Sequence, residues 1–212
     1  MRGDKMVKLV AFSMEGTLLK NKNTWNRVMS KLSRNPYYNI IYNFDYLYDN
    51  LNNKINVSIN NTAFNKLIDE SFDYMDLYDG IDDTIKILHQ NGIKAAIITA
   101  GVKNYADIIA REFKFDYSIA NEMKIISGKI RFIKNVDSIR KEIILNKLRI
   151  KNGFKKDDII SVGSSLQDIS MKNVSGKFIA FNPSAVEVIR VADKIIDGSE
   201  SLLDILNEPI NA

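Results

Sequence analysis

Short apolar runs recur along this chain, and each closes on small or polar residues before a helix-periodic stretch begins. Met6 to Ser13 is the first, with a buried core at Val7 to Phe12. Lys94 to Ile98, Tyr117 to Ala120, Asp158 to Val162, Lys177 to Phe181 and Lys194 to Ile196 follow. Between them lie stretches with helical spacing: Ile81 to Gln90, closed by Asn91-Gly92; the stripe Tyr105, Ile108, Ile109, Phe113; a helix capped by Asp137 or Ser138 and reaching about Lys151; Ser165 to Val174; Ala185 to Val191; and Ser199 to Leu206. Glu122 to Phe132, with Ser127-Gly128 at its centre, reads as a β-hairpin. Strands alternating with helices at this spacing predict a three-layer α/β fold, a mostly parallel sheet covered on both faces. In such sheets ligands sit beyond the carboxyl ends of the strands. The segment Ser13-Met14-Glu15-Gly16-Thr17, where the first strand turns, is therefore expected at the mouth of a site.

Residues from about Lys20 to Leu77 differ in character. They are rich in Asn and Tyr and show helical stripes without strand runs. Thr24 can cap a helix whose apolar face is Trp25, Val28, Met29 and Leu32, and Pro36 stops it. A second stripe runs Phe64, Leu67, Ile68, Met75, and an aromatic cluster contains Tyr37, Tyr38, Tyr42, Phe44, Tyr46 and Tyr48. The reading is a helical cap over residues 20–78, inserted into a core made of residues 1–19 and 79–212.

The absence of cysteine rules out disulfides, thiolate metal sites and a cysteine nucleophile. The formal charge of +4 is dispersed, with no basic tract dense enough for a nucleic-acid footprint. No apolar run approaches the roughly 18 residues that a membrane span needs, and Lys8 and Glu15 break the only apolar stretch near the N-terminus. A cytoplasmic protein with neither nucleic-acid nor membrane partners is expected.

Four stretches, in order, resemble the motifs of the haloacid dehalogenase superfamily of phosphatases. They are Ser13-Met14-Glu15-Gly16-Thr17, Ile97-Ile98-Thr99-Ala100-Gly101, Lys141 opening Lys141-Glu142-Ile143-Ile144-Leu145, and Val162-Gly163-Ser164-Ser165-Leu166-Gln167-Asp168. Ala120-Asn121-Glu122-Met123 with Gly128, and Asp168-Ile169-Ser170-Met171, resemble the phosphoserine phosphatase branch, which also carries a small helical cap after the first motif. The resemblance covers roughly residues 6 to 206 and is weakest in the cap. It implies a phosphate cradle of Thr17, Thr99, Gly101 and Lys141, and a Mg²⁺ cofactor.

The departures from that pattern concern the chemistry itself. The family's first motif supplies a nucleophilic Asp and a general-acid Asp; here Ser13 and Glu15 stand in those places. The family's fourth motif supplies a carboxylate that holds Mg²⁺; here Ser164 stands there, and Asp168 keeps the supporting position. Mg²⁺ favours hard anionic oxygens, so the resemblance implies a metal site that is weak or absent. Glu15 keeps a carboxyl but adds a methylene. A general acid contributes about 10²–10⁴ in rate, and a displacement of ~1 Å can forfeit about 10² of it. Where the phosphoserine branch contacts the substrate's amino group with an acid, this chain has a lysine near the corresponding place, Lys22.

Each of these residues has a plainer reading. Ser13 is a nucleophile only if a base activates it, and Glu15 is otherwise a solvated strand-end carboxylate. Thr99 can cap the helix near Lys103, Lys141 can be a surface lysine, and Asp168 can brace its own loop. Trp25 reads as packing and His89 as a helix-terminal residue favoured by the dipole. The expected function is a phosphatase-like protein that binds a phosphorylated small molecule or inorganic anion, with the aspartyl-phosphate mechanism lost or impaired. The alternatives are an active phosphomonoesterase using Glu15 and Asp168, and an interaction scaffold acting through the tyrosine-rich cap.

Overall fold

The computed structural model describes residues 6–33, 44–56 and 60–206. Along the chain run β1 (Leu9–Phe12), α1 (Thr24–Ser33), α2 (Phe44–Tyr46), α3 (Asn61–Asp69), α4 (Ile81–Gln90), β2 (Lys94–Val102), α5 (Lys103–Phe113), β3 (Tyr117–Ile126), β4 (Lys129–Ile133), α6 (Glu142–Lys151), β5 (Ile159–Gly163), β6 (Lys177–Phe181), α7 (Val186–Val191) and β7 (Lys194–Ile196). A π-helical turn follows α2 at Leu47–Leu51, and 3₁₀ segments occupy Tyr74–Asp76, Lys156–Asp158, Leu166–Val174 and Leu202–Leu206.

The strands form one sheet in the order β4-β3-β2-β1-β5-β6-β7. Every pairing is parallel except β3 with β4, the hairpin expected at Ser127-Gly128. β1 lies at the centre, with Val10 level with Ala95 on one side and Ile160 on the other. The chain builds outward from β1 to β2, then crosses back to place β5 on the opposite flank. That reversal opens a crevice beyond the carboxyl ends of β1, β2 and β5.

The residues of β1 are all buried, as a strand covered on both faces requires. Their alternation divides them between two layers. Leu9 and Ala11 join Leu145, Leu148 and Met171 beneath α6 and the Leu166–Val174 segment. Val10, Phe12 and Met14 join the larger cluster on the other face. That cluster continues without a break into the inserted segment, through Trp25, Val28, Phe44, Leu47, Phe64 and Ile68. Trp25 packs at 5.2 Å from Phe44 and 6.0 Å from Phe132 of β4, ring centroid to ring centroid. The outer edge of β4 is covered by the same insertion: Asn53 N donates to Ile130 O, and Ile130 N donates to Ile55 O. An otherwise open sheet edge is thereby paired.

Several sequence expectations shift. β2 does not stop at Ile98 but runs on through Thr99-Ala100-Gly101, with an irregularity against β3 between Ile98 and Val102. The bulge keeps pairing while redirecting the strand end. α6 starts at Glu142, with Lys141 at its N-cap position. Asp137 and Ser138 do not cap it: Asp137 accepts from Ile139 N in a turn, and Ser138 Oγ reaches across to Asp45. Asn23 accepts from Asn26 N at the start of α1, the bond expected of Thr24, whose hydroxyl is engaged elsewhere. Leu67 is exposed, while Phe64 and Ile68 are buried, so the stripe of α3 is narrower than its pattern. Ser165 to Val174 and Ser199 to Leu206 are 3₁₀ rather than α-helical, the latter starting only at Leu202. In the tyrosine cluster Phe44 points inward and Tyr46 and Tyr48 are surface-exposed; Pro36, Tyr37, Tyr38 and Tyr42 lie outside the described residues. No helix among the described residues is long and apolar enough to cross a membrane.

Candidate functional site

The loops after β1 and β5 meet at the crevice because Gly16 lets them. Its φ is +75°, and a Cβ there would stand 2.3 Å from Ser164 Oγ. Ser164 Oγ donates to the backbone carbonyl of Glu15 at 3.3 Å. The two strand ends thus form the base of a pocket of about 400 Å³. Ser13, Glu15, Lys22, Lys141 and Ser164 all line it, together with Gln167. Of the residues expected at a site, these five converge.

Lys141 forms the centre of the pocket floor. Its Nζ donates to Asp168 Oδ1 at 2.6 Å and to Ser13 Oγ at 3.1 Å. The ion pair is almost wholly enclosed, with 3% of the Lys141 side chain and none of Asp168 exposed. The other oxygen of Asp168 accepts three bonds, from Ser164 N, Ser165 N and Ser165 Oγ, each at 2.9 Å. Burial pushes the Asp168 carboxyl up. The Lys141 charge and its hydrogen bond, helped by the amides of Ser165 and Ser164, outweigh that and hold the carboxyl below its ordinary value. An ammonium has three N–H donors; two are committed to Asp168 and Ser13, and Lys141 also lines the pocket.

Glu15 forms the wall. Its Oε1 accepts from Thr24 N at 2.7 Å and from Thr24 Oγ1 at 2.8 Å. The same Thr24 hydroxyl accepts from Val102 N at 3.1 Å, tying the insertion, the first loop and the end of β2 together. Burial is the largest influence on the Glu15 carboxyl and raises it, although the two bonds from Thr24 pull the other way.

Three expected cradle residues lie behind the wall and do not line it. Thr17 is fully buried, and its Oγ1 has no hydrogen-bond partner. Thr99 is also fully buried, and its Oγ1 accepts from Gly101 N at 2.9 Å. It does not cap α5, whose N-cap position is Val102. Gly101 backs Glu15 closely: a Cβ there would come within 3.1 Å of Glu15 Cδ and 2.7 Å of Met14 Cε. His89 pairs with Asp116 and has no part in the pocket.

The sequence reading missed Thr24, Ser165, Gln167 and Ser184 as site residues. Ser165-x-x-Asp168 carries the spacing of a capping box, a signal that could have found Ser165. Ser184 binds the Ser164 carbonyl through its N and Oγ, a contact from the loop after β6 that no local pattern encodes. Trp25, read as packing, also donates from Nε1 to Ala100 O at 2.8 Å and so fixes the bulged end of β2.

Comparison with known proteins settles the lineage. The family model for haloacid dehalogenase-like hydrolases matches residues 7–176. The chain belongs to that family. Within it the resemblance is to the phosphoserine phosphatase-like branch. A phosphoserine phosphatase of Archaeoglobus fulgidus is 27% identical over 139 residues, which cover 64% of this chain and 39% of that protein. One from Lactococcus lactis is 28% identical over 118 residues, 54% of this chain and 55% of that protein. The chain therefore spans only about two fifths to just over half the length of these relatives. A crystal structure of a phosphoserine phosphatase in apo form superposes with a TM-score of 0.75 at 22% identity, covering 94% of this chain and 98% of that one. This likeness establishes a shared fold. The haloacid dehalogenase-like assignment thus rests on the family model, and the geometry around Ser13 and Ser164 is this chain's own.

Proposed function

We propose that this haloacid dehalogenase-like protein binds a phosphorylated small molecule or inorganic anion in the pocket over Lys141 and does not carry out aspartyl-phosphate chemistry. The observation that supports this most is the Lys141 ammonium set between Ser13 Oγ and Asp168. A nucleophilic serine needs a base that removes its proton. The partner of Ser13 Oγ is instead a donor, itself bonded to Asp168 at 2.6 Å. Lys141 thus orients Ser13 and cannot deprotonate it.

The same arrangement bears on Mg²⁺, the usual cofactor of the family. Both oxygens of Asp168 already receive donors. Ser13 and Ser164 offer neutral hydroxyls, and Glu15 offers one oxygen not held by Thr24. Among the described residues no group of three or more His, Cys, Asp or Glu converges. Such a donor set fits a divalent cation poorly, and an ammonium in its midst fits it worse. It does fit an oxyanion. The third N–H of Lys141 and the hydroxyl of Ser13, whose oxygen accepts from Lys141 and whose hydrogen is uncommitted, are donors of the kind that bind phosphoryl oxygens. Thr99 and Gly101 act from behind, where Thr99 Oγ1 accepts from Gly101 N at the end of β2.

A phosphatase assay with Mg²⁺ and para-nitrophenyl phosphate tests the reading on the wild type and on the double variant Ser13→Asp, Ser164→Asp. The expected result is an inert wild type and measurable turnover by the double variant. Turnover by the wild type that Glu15→Gln abolishes would instead support a working phosphomonoesterase with Glu15 as the acid.

A further inference from the structure

Carboxylates surround the pocket, yet nearly all of their oxygens are taken. Asp168 is saturated by Lys141, Ser164 and Ser165. Asp45, in an adjoining chamber of about 140 Å³, accepts from Lys134 Nζ at 2.9 Å and from Ser138 Oγ at 2.8 Å. Glu15 gives Oε1 to Thr24 and keeps one oxygen open. A cationic group on a ligand therefore finds only the second oxygen of Glu15 to pair with.

Lys22 is the reverse case. It is exposed, it lines both the main pocket and the adjoining chamber, and it has no hydrogen-bond or ion-pair partner among the described residues. Its stem runs past Gly16 at the pocket base, where a Cβ on Gly16 would lie 3.8 Å from Lys22 Cγ. Lys22 thus stands where the two spaces share their lining, together with Glu15 and Gln167.

We infer that the ligand of this pocket is a phosphorylated carboxylic acid without an amino group, and that Lys22 is the residue that selects it. The inference rests on the reading of the Lys141 floor as the phosphoryl subsite. Lys141 and Lys22 line the same pocket of about 400 Å³, so a small ligand held over the floor has Lys22 on its wall. A carboxylate at that point gains a charge-assisted hydrogen bond, on the order of tenfold in affinity. An ammonium at the same point meets a like charge.

The test is calorimetric titration of the full chain, in EDTA, with three esters of matched size: 2-phosphoglycolate, ethyl phosphate and phosphoethanolamine. Inorganic phosphate is titrated alongside. The expected order is phosphoglycolate tightest by about tenfold over ethyl phosphate, with phosphoethanolamine weakest. Lys22→Gln should narrow the first ratio to within about twofold, and Lys22→Glu should move phosphoethanolamine ahead of phosphoglycolate. Phosphoethanolamine binding as well as phosphoglycolate to the wild type, or an unchanged ratio in Lys22→Gln, overturns the inference while leaving phosphoryl binding intact. Failure of all four probes, inorganic phosphate included, overturns the phosphoryl subsite itself and the inference with it.

Discussion

The floor and the wall of the pocket are built from the same residue types and use them in opposite ways. On the floor, Lys141, Asp168, Ser13 and Ser165 direct their polar groups largely at one another, with the Lys141–Asp168 pair almost wholly enclosed. On the wall, Glu15 keeps one oxygen open and Lys22 keeps its whole charge open. A buried ion pair contributes mainly by not being broken: removal of one partner strands the other charge in a low-dielectric setting. An exposed charge costs the fold little and is left for a ligand. The floor therefore sets the shape of the site, and the wall sets what the site selects.

The strongest way to break this contrast is Asp168→Ala. It leaves the Lys141 ammonium buried without its counter-charge and should cost about 3–5 kcal/mol of stability, read from urea unfolding. A loss below about 1 kcal/mol would mean that the floor is as open as the wall. The next effect is smaller. Thr24→Val removes the hydroxyl that binds Glu15 and accepts from Val102 N. It should cost about 1–3 kcal/mol, and phosphate affinity should fall with it as the wall loosens.

Acid titration sharpens the comparison, because the two carboxylates shift in opposite directions. Asp168 sits below its ordinary value, so its contribution is complete above the ordinary carboxylate range and is lost as pH falls through the lowered value. Glu15 sits above its ordinary value, chiefly through burial. The folded protein holds that proton more tightly than the unfolded chain does, so stability falls as pH rises from the ordinary glutamate value through the raised one. Glu15→Gln should flatten the stability profile in that upper window and leave the acid limb unchanged. The smallest effect belongs to Lys22→Gln, whose unfolding free energy should stay within about 0.5 kcal/mol of the wild type.

Much of the fold was legible because it rests on local patterns. The apolar runs at Val7 to Phe12 and Lys177 to Phe181, the Asn91-Gly92 helix end and the Ser127-Gly128 hairpin each carry their own signal. That Ser13, Glu15, Lys141 and Ser164 line one pocket was legible because strand ends and motif order placed them together. What escaped depends on distant parts of the chain. The Thr24 side chain is taken from its helix by a carboxylate nine residues earlier in sequence. Thr99 and Gly101 sit inside a strand because β3 goes on pairing past the bulge. Ser138 is drawn to Asp45, 93 residues away in sequence, and Lys141 then takes the N-cap position. Propensity and spacing carry no information about such partners, and tertiary contact overrides them.

The central claim is that the floor binds an oxyanion through Lys141, with no metal needed. Calorimetric titration of the wild type with inorganic phosphate, once in EDTA and once in Mg²⁺, addresses it directly. The account predicts saturable binding with the same Kd in both buffers. Binding that appears only with Mg²⁺, or tightens tenfold or more on its addition, would contradict it.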